Sequence, residues 1–292
     1  MKLWKCLTDG LTEGVPGGLP GGSPETALRA VLASLGATLL LTLAGCATID
    51  GNTPQQRDIR TESDQSDAER RARTRMELAS AYFSRGQNTT ALDEVKLALV
   101  AKPDAFDAYN LRGLIYASMG ENRLAEESFQ RALQLNNRDT DTMQNLGWYL
   151  CQQRRFAEAE TLFLQALAQP QYLGAARSTL AMGVCQARDG KWLEAERSLS
   201  RSYELDPANP GTAYNLAEVL LRRGDFERAR FYVRRINVNA DQVNAQSLWL
   251  AARIEHRLNN VAGAQQLGNQ LRDRFPQSPE ALQFERGRFD EQ

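Results

Sequence analysis

The sequence predicts an all-α chain, a right-handed α-solenoid of about six helix pairs stacked side by side. Three observations carry this. Small residues recur at intervals of about 34 residues, one early on a first amphipathic segment and one early on a second, as Gly147 and Ala159 do within MQNLGWYLCQQRRFAEAE (143–160). A glycine recurs near the junction of the two segments, at Gly86, Gly120, Gly190 and Gly224. Prolines close several units, at Pro103, Pro207 and Pro276. Each residue type has a physical reason to stand there. Gly or Ala lets two helices cross closely, glycine takes the left-handed conformation that ends a helix, and proline cannot continue one. Stacked units of this kind present extended surfaces, so the pattern points to binding rather than chemistry.

In chain order, residues 1–45 read as an export segment. The stretch from Ala30 to Ala44 is almost wholly apolar and follows Arg29, a length that suits a signal-peptide core and falls short of a membrane span. It ends in Leu43-Ala44-Gly45-Cys46. That tetrapeptide resembles the lipobox of bacterial lipoproteins, which implies cleavage before Cys46, diacylation of its thiol and a lipid anchor. Two or three acyl chains hold firmly, since each buried methylene contributes about 0.8 kcal/mol. Ala47, not Asp, follows the cysteine, which by the same likeness implies sorting to the outer membrane. Ahead of the apolar run the charges cancel: Lys2, Lys5 and Arg29 stand against Asp9, Glu13 and Glu25. A start at Leu28 would give a conventional short leader, and Cys6 would then be absent from the product. Residues 46–71 are polar, with Asn52, Thr53, Pro54, Ser63, Asp64 and Ser66, and read as a tether.

Six repeats follow, at 72–105, 106–139, 140–173, 176–209, 210–243 and 245–278, with Gly174-Ala175 and Asn244 as small insertions. Numbered so that the first small residue is the eighth position and the second the twentieth, the repeats carry small residues at both. The fifteenth position is the glycine cap in four of them, and Asn259 takes its place in the sixth. The stretch 279–292 reads as a capping tail whose residues from Glu280 to Phe289 form one more helix over the last hydrophobic face.

Composition narrows the functions. The chain has 292 residues, a formal net charge of −1, four cysteines and one histidine. That balance gives no nucleic-acid footprint, and the cysteines are too few for a disulfide-dense scaffold. There is no phosphate-binding loop, HExxH motif or nucleophile elbow, so neither catalytic residues nor a cofactor are expected. No histidine or third cysteine accompanies Cys151 and Cys185, which argues against a metal. His256 stands among Arg253 and Arg257 with no nucleophile motif beside it.

The spacing matches tetratricopeptide repeats over residues 72–278, and arrays of that class are protein-binding scaffolds. The resemblance implies that the first helices line a concave face, with the second, fifth, ninth, twelfth and thirteenth positions pointing into it. This yields Met76 and Phe83, Asn110 and Leu114, and Gln144 and Trp148. Beyond them come Leu180, Val184, Tyr214, Leu221 and Trp249, with Arg188, Arg222, Arg253 and Arg257 toward the C-terminal half. Such a groove seats an extended or helical partner segment, and the first two repeats, nearest the tether, are the favoured place. Cys151 and Cys185 fall on first helices of neighbouring repeats, whose axes lie about 8–10 Å apart. In an oxidising compartment they are expected to form a disulfide, the alternative being two buried thiols.

A lipoprotein leader followed by six such repeats resembles the PilF/PilW family of type IV pilus biogenesis lipoproteins. Asn145-Leu146-Gly147-Trp148-Tyr149-Leu150-Cys151-Gln152 is similar to that family's Asn-x-Gly-Trp-aromatic-Leu-Cys-Gln stretch, departing at Leu146, where the family usually has an aromatic residue. The resemblance implies an outer-membrane pilotin that binds the pilus secretin as its partner and promotes its localisation and multimerisation. Two alternatives stand beside it: a repeat lipoprotein of outer-membrane protein assembly, and a regulator of cell-wall enzymes.

Overall fold

Why the described residues, 66–289, turn back on themselves so regularly is visible in their helix ends. A computed structural model shows thirteen α-helices among these residues. The stretch read as an export segment, the lipidation expected at Cys46, and all but the end of the stretch read as a tether lie outside the described residues. The first six pairs are α1 (Asp67–Ser84) with α2 (Asn88–Ala101), α3 (Phe106–Met119) with α4 (Asn122–Leu135), α5 (Thr140–Gln152) with α6 (Phe156–Leu167), α7 (Ala175–Arg188) with α8 (Trp192–Leu205), α9 (Pro210–Arg223) with α10 (Phe226–Asn237), and α11 (Ala245–Arg257) with α12 (Val261–Arg274). A seven-residue α13 (Pro279–Glu285) follows. Each first helix packs on its own second helix, and each second helix on the first helix of the next pair. The fold is therefore all-helical and built of paired repeats, as the spacing predicts.

The backbone turns between paired helices at one position in every repeat. Gly86, Gly120, Gly190 and Gly224 have φ between 74° and 81° there, and Arg154 and Asn259 have φ of 62° and 56°. Asn tolerates this conformation; at Arg154 a side chain crowds the next carbonyl at a cost of about 1–2 kcal/mol. The second helices α2, α8 and α12 stop two residues before Pro103, Pro207 and Pro276. Starts are capped by short polar side chains. Ser66 and Glu69 form a reciprocal capping box, so α1 begins at Asp67, inside the stretch expected to be tether. Asp139 accepts from the Thr142 N–H at 2.8 Å, and Asn209 precedes Pro210 at the first helical position. The residues expected as insertions have structural places: Ala175 is the first residue of α7, and Asn244 caps α11 in a second capping box with Ser247.

Small residues sit where helices cross. The twentieth-position alanines Ala91, Ala125, Ala159, Ala195, Ala229 and Ala264 are all buried. At the eighth position the choice between Gly and Ala follows the residue facing it from the second helix. A Cβ added at Gly113 would lie 2.7 Å from the Phe129 ring, at Gly147 3.0 Å from Phe163, and at Gly183 2.7 Å from Leu199. Where the eighth position is Ala (Ala79, Ala217), the twenty-fourth is Val95 or Val233. In the sixth repeat the pair is Ala252 and Gly268, and the room left above Gly268 is taken by Phe284 of α13, whose ring fills the place of its Cβ. Phe284, Ala281, Leu271, Leu248 and Val243 form a closing cluster that covers the last repeat. Constant volume at each crossing is what close packing demands.

Ion pairs cross most junctions between repeats. Arg155 reaches Glu126 at 2.8 Å, Arg177 reaches Asp141 at 2.6 Å, Arg228 reaches Glu196 at 2.7 Å and Arg253 reaches Glu218 at 3.3 Å. Of these, Arg177–Asp141 and Arg228–Glu196 are exposed, and exposed pairs are worth about 0–1 kcal/mol each. Glu255 differs, because it is buried. It accepts from Arg230 at 2.9 Å, Arg234 at 3.2 Å and Asn260 at 2.7 Å, tying the fifth repeat to the sixth. Glu255→Ala would leave Arg230 and Asn260 with lost partners, while both arginines keep a route to water. The expected loss is therefore about 1–2 kcal/mol, below the cost of breaking a fully buried pair. Urea denaturation of the variant checks it, and an unchanged midpoint refutes the tie.

Candidate protein-binding face

The inner positions of the first helices do not form one uniform groove. In α1 only Ala72 and Ala79 are buried, and in α3 only Ala108, Leu111, Gly113 and Ile115. In α5 the run Thr142–Cys151 is buried except for Asn145, and in α7 Ser178–Gln186 is buried throughout. The face is open over the first two repeats and closed in the middle.

The six candidate residues divide accordingly. Met76, Phe83 and Leu114 are half-buried and rest on the first core cluster, built around Ala79, Val95, Ala108, Leu111 and Ile115. Asn110 is half-buried beside them, and its Oδ1 accepts from Asn145 Nδ2 at 3.1 Å. Gln144 and Trp148 are each only 4% exposed, so they do not offer the surface their positions suggest. The Arg188 guanidinium lies 5.1 Å over the Trp148 ring. The inner positions Leu180, Val184 and Leu221 are buried too. Neighbouring first helices touch all along the array, the first two repeats included, so the middle is distinguished by its side chains and not by that contact. Gln144 Oε1 and Trp148 Nε1 are left buried without a hydrogen-bond partner.

The arginines of the C-terminal half are engaged rather than lining an empty channel. Arg222 pairs with Glu218 at 3.4 Å, and Arg253 pairs with the same carboxylate. Arg257 lies over the Phe226 ring at 5.2 Å. Tyr214 is held beside Glu218, and burial, reinforced by that carboxylate, pushes its hydroxyl up to about 12. Cys151 and Cys185 are joined in a disulfide with their α-carbons 5.8 Å apart, inside the range a bridge spans. Among the described residues no group of three or more His, Cys, Asp or Glu is placed to hold a metal. No helix among them is long and apolar enough to cross a membrane.

Sequence reasoning missed two parts of this surface. Glu255 occupies the eleventh position, where the other repeats have Tyr82, Tyr116, Leu150, Gln186 and Leu220; a charge on that inward row was the available signal. The helix expected to run from Glu280 to Phe289 ends at Glu285, and Phe289 folds back onto Trp249 and His256, which no periodicity announces.

The helix-pair geometry agrees with comparison to known proteins. Tetratricopeptide repeat profiles match residues 106–139, 140–168 and 186–251. The chain is a tetratricopeptide repeat protein. It is homologous to the type IV pilus assembly protein PilF of Pseudomonas aeruginosa, at 26% identity over 255 residues, 87% of this chain and 98% of PilF. Among solved structures it is similar to PilW, described as a widely conserved type IV pilus biogenesis factor. The TM-score there is 0.69 at 29% identity, covering 73% of this chain and 97% of that one. The P. aeruginosa PilF structure shares the fold, with a TM-score of 0.68 at 24% identity, covering 76% of this chain and all of that one. Proteins of the tetratricopeptide repeat class are generally protein-binding scaffolds rather than enzymes.

Proposed function

We propose that this repeat protein serves type IV pilus biogenesis as a non-enzymatic scaffold in the bacterial envelope, anchored through Cys46. It binds the pilus secretin on the inner face of the first two repeats and promotes secretin multimerisation in the outer membrane. The observation that carries the reading is the likeness to PilF along nearly the whole chain. The half-buried apolar group of Met76, Phe83 and Leu114, with Asn110 beside it, supplies a site of the right kind. An apolar floor with one amide at its edge suits a partner segment that buries hydrophobic side chains and keeps its backbone polar groups paired.

Deletion of the gene tests the reading in the cell: secretin multimers are lost while bulk outer-membrane proteins stay normal. General defects in barrel proteins would point to outer-membrane protein assembly instead, and altered cell-wall turnover to regulation of cell-wall enzymes. In the same cells Phe83→Glu is expected to weaken secretin capture about tenfold or more, as loss of a buried anchor does, with the array still folded by circular dichroism. Unfolding instead would make Phe83 a core residue. Cys46→Ser is expected to move the protein out of the membrane fraction, and unchanged fractionation refutes the anchor.

A further inference from the structure

The sixth repeat carries, on the row that faces a partner in the first two, a set found in no other repeat. Trp249, Arg253 and His256 stand at its fifth, ninth and twelfth positions, where the first repeat has Met76, Ser80 and Phe83 and the second has Asn110, Leu114 and Ala117. The chain itself fills this set. At the end of α13, Gly287 takes φ of 66°, its N–H donating to the Phe284 carbonyl and that of Arg288 to the Gln283 carbonyl. This left-handed cap reverses the backbone and delivers Phe289 onto the inner face. The Phe289 ring stacks on His256 with centroids 4.3 Å apart and planes 6° from parallel. It lies 5.3 Å from the Trp249 ring and meets Phe284 edge-on at 5.9 Å. Its carbonyl accepts from Arg253 Nε–H at 3.3 Å. His256 Nδ1 lies buried without a hydrogen-bond partner, a polar atom the phenylalanine leaves unsatisfied.

We propose that this face is an aromatic-accepting subsite for an extended polypeptide segment, and that Phe289 is its resident occupant, exchanged for an aromatic side chain of an incoming segment. The requirement follows from what is recognised: two ring faces hold one ring, and a guanidinium holds the backbone carbonyl of the same residue. Any extended segment with an exposed aromatic residue presents both groups, and one that also reaches His256 Nδ1 satisfies more of the site than the chain's own tail does. A tethered occupant competes at an effective concentration in the millimolar range, so the subsite stays closed to weak ligands. The proposal rests on the reading of the inner face as the partner-binding surface.

The test uses the full chain carrying Phe289→Ala and, as probe, a synthetic heptapeptide with the sequence of residues 286–292. Titration followed by fluorescence anisotropy is expected to show the heptapeptide binding this variant at least tenfold more tightly than the unsubstituted chain. Binding should be lost when the peptide's phenylalanine is replaced by alanine, and reduced at least tenfold when Trp249→Ala is added to the protein. Unchanged helicity by circular dichroism confirms that the variants stay folded. Equal binding to both chains, or none to the variant, overturns the proposal. The titration needs no secretin. Heptapeptide binding together with secretin capture that ignores Phe83→Glu refutes the groove reading alone, whereas Phe83-dependent capture without heptapeptide binding refutes this subsite alone.

Discussion

Replacing Cys151 and Cys185 together by alanine is expected to lower the stability of the array by about 4 kcal/mol. The bridge closes a segment with a sequence separation of 34. In the chain-entropy account, cross-linking a loop of that size costs the unfolded ensemble between the roughly 3 kcal/mol of a 15-residue loop and the roughly 4.7 kcal/mol of a 100-residue loop. Both cysteines are buried, at 1% and 2% exposure, so the two alanines leave only the small void of two sulfur atoms. For a folded unit of this size the loss corresponds to about 8–16 °C in melting temperature. A solenoid adds a second consequence. Each repeat is held only by its neighbours, and the bridge joins α5 of the third repeat to α7 of the fourth. Without it the third and fourth repeats are coupled by non-covalent contacts alone, and denaturation is expected to broaden or divide into two steps. Urea titrations of the alanine pair, of the reduced natural chain and of the oxidised natural chain check this. Coincident midpoints in all three would remove the bridge from the account of stability.

The cysteine pair was legible because repeat numbering puts both residues on adjacent first helices, and only a distance of axes is then needed. The helix ends were legible for a similar reason: glycine at the fifteenth position and proline past the second helix act locally, whatever the rest of the chain does. Arg154 shows the limit. Its φ of 62° matches the glycines of other repeats, but nothing in an arginine signals a left-handed residue, so only the register assigns it. The binding face was legible as a row of positions and not as a surface. Gln144 and Trp148 fall on the same row as Asn110 and Leu114, yet they are buried; Trp148 lies under the Arg188 guanidinium of the next repeat, a neighbour the row does not announce. Phe289 was out of reach for another reason. Its placement depends on where one glycine turns the chain after α13, and on three side chains of α11 that share a face only once folded.

Gly113→Ala is expected to destabilise the second repeat by about 1–3 kcal/mol, although alanine is the better helix former by about 1 kcal/mol. The added methyl would lie 2.7 Å from two ring carbons of Phe129 and 2.9 Å from a third, Cγ. That last atom sits one bond from the Phe129 Cβ, so a rotation of the ring cannot clear it, and the helices α3 and α4 must part instead. Phe129 is fully buried, and the strain is felt across the crossing. Phe129→Val alone is also expected to cost about 1–3 kcal/mol, here by leaving a cavity. The first and fifth repeats already use the other solution, Ala79 with Val95 and Ala217 with Val233, all four buried. The double variant Gly113→Ala, Phe129→Val installs that solution in the second repeat. Its loss should therefore fall well below the sum of the single losses, with a coupling in the range of about 0.5–3 kcal/mol that contacting residues show. Thermal or urea denaturation of the four proteins completes the cycle. Additive losses would mean that the two positions do not share one volume, and that the alternation of Gly with Phe or Leu and of Ala with Val along the array has another cause.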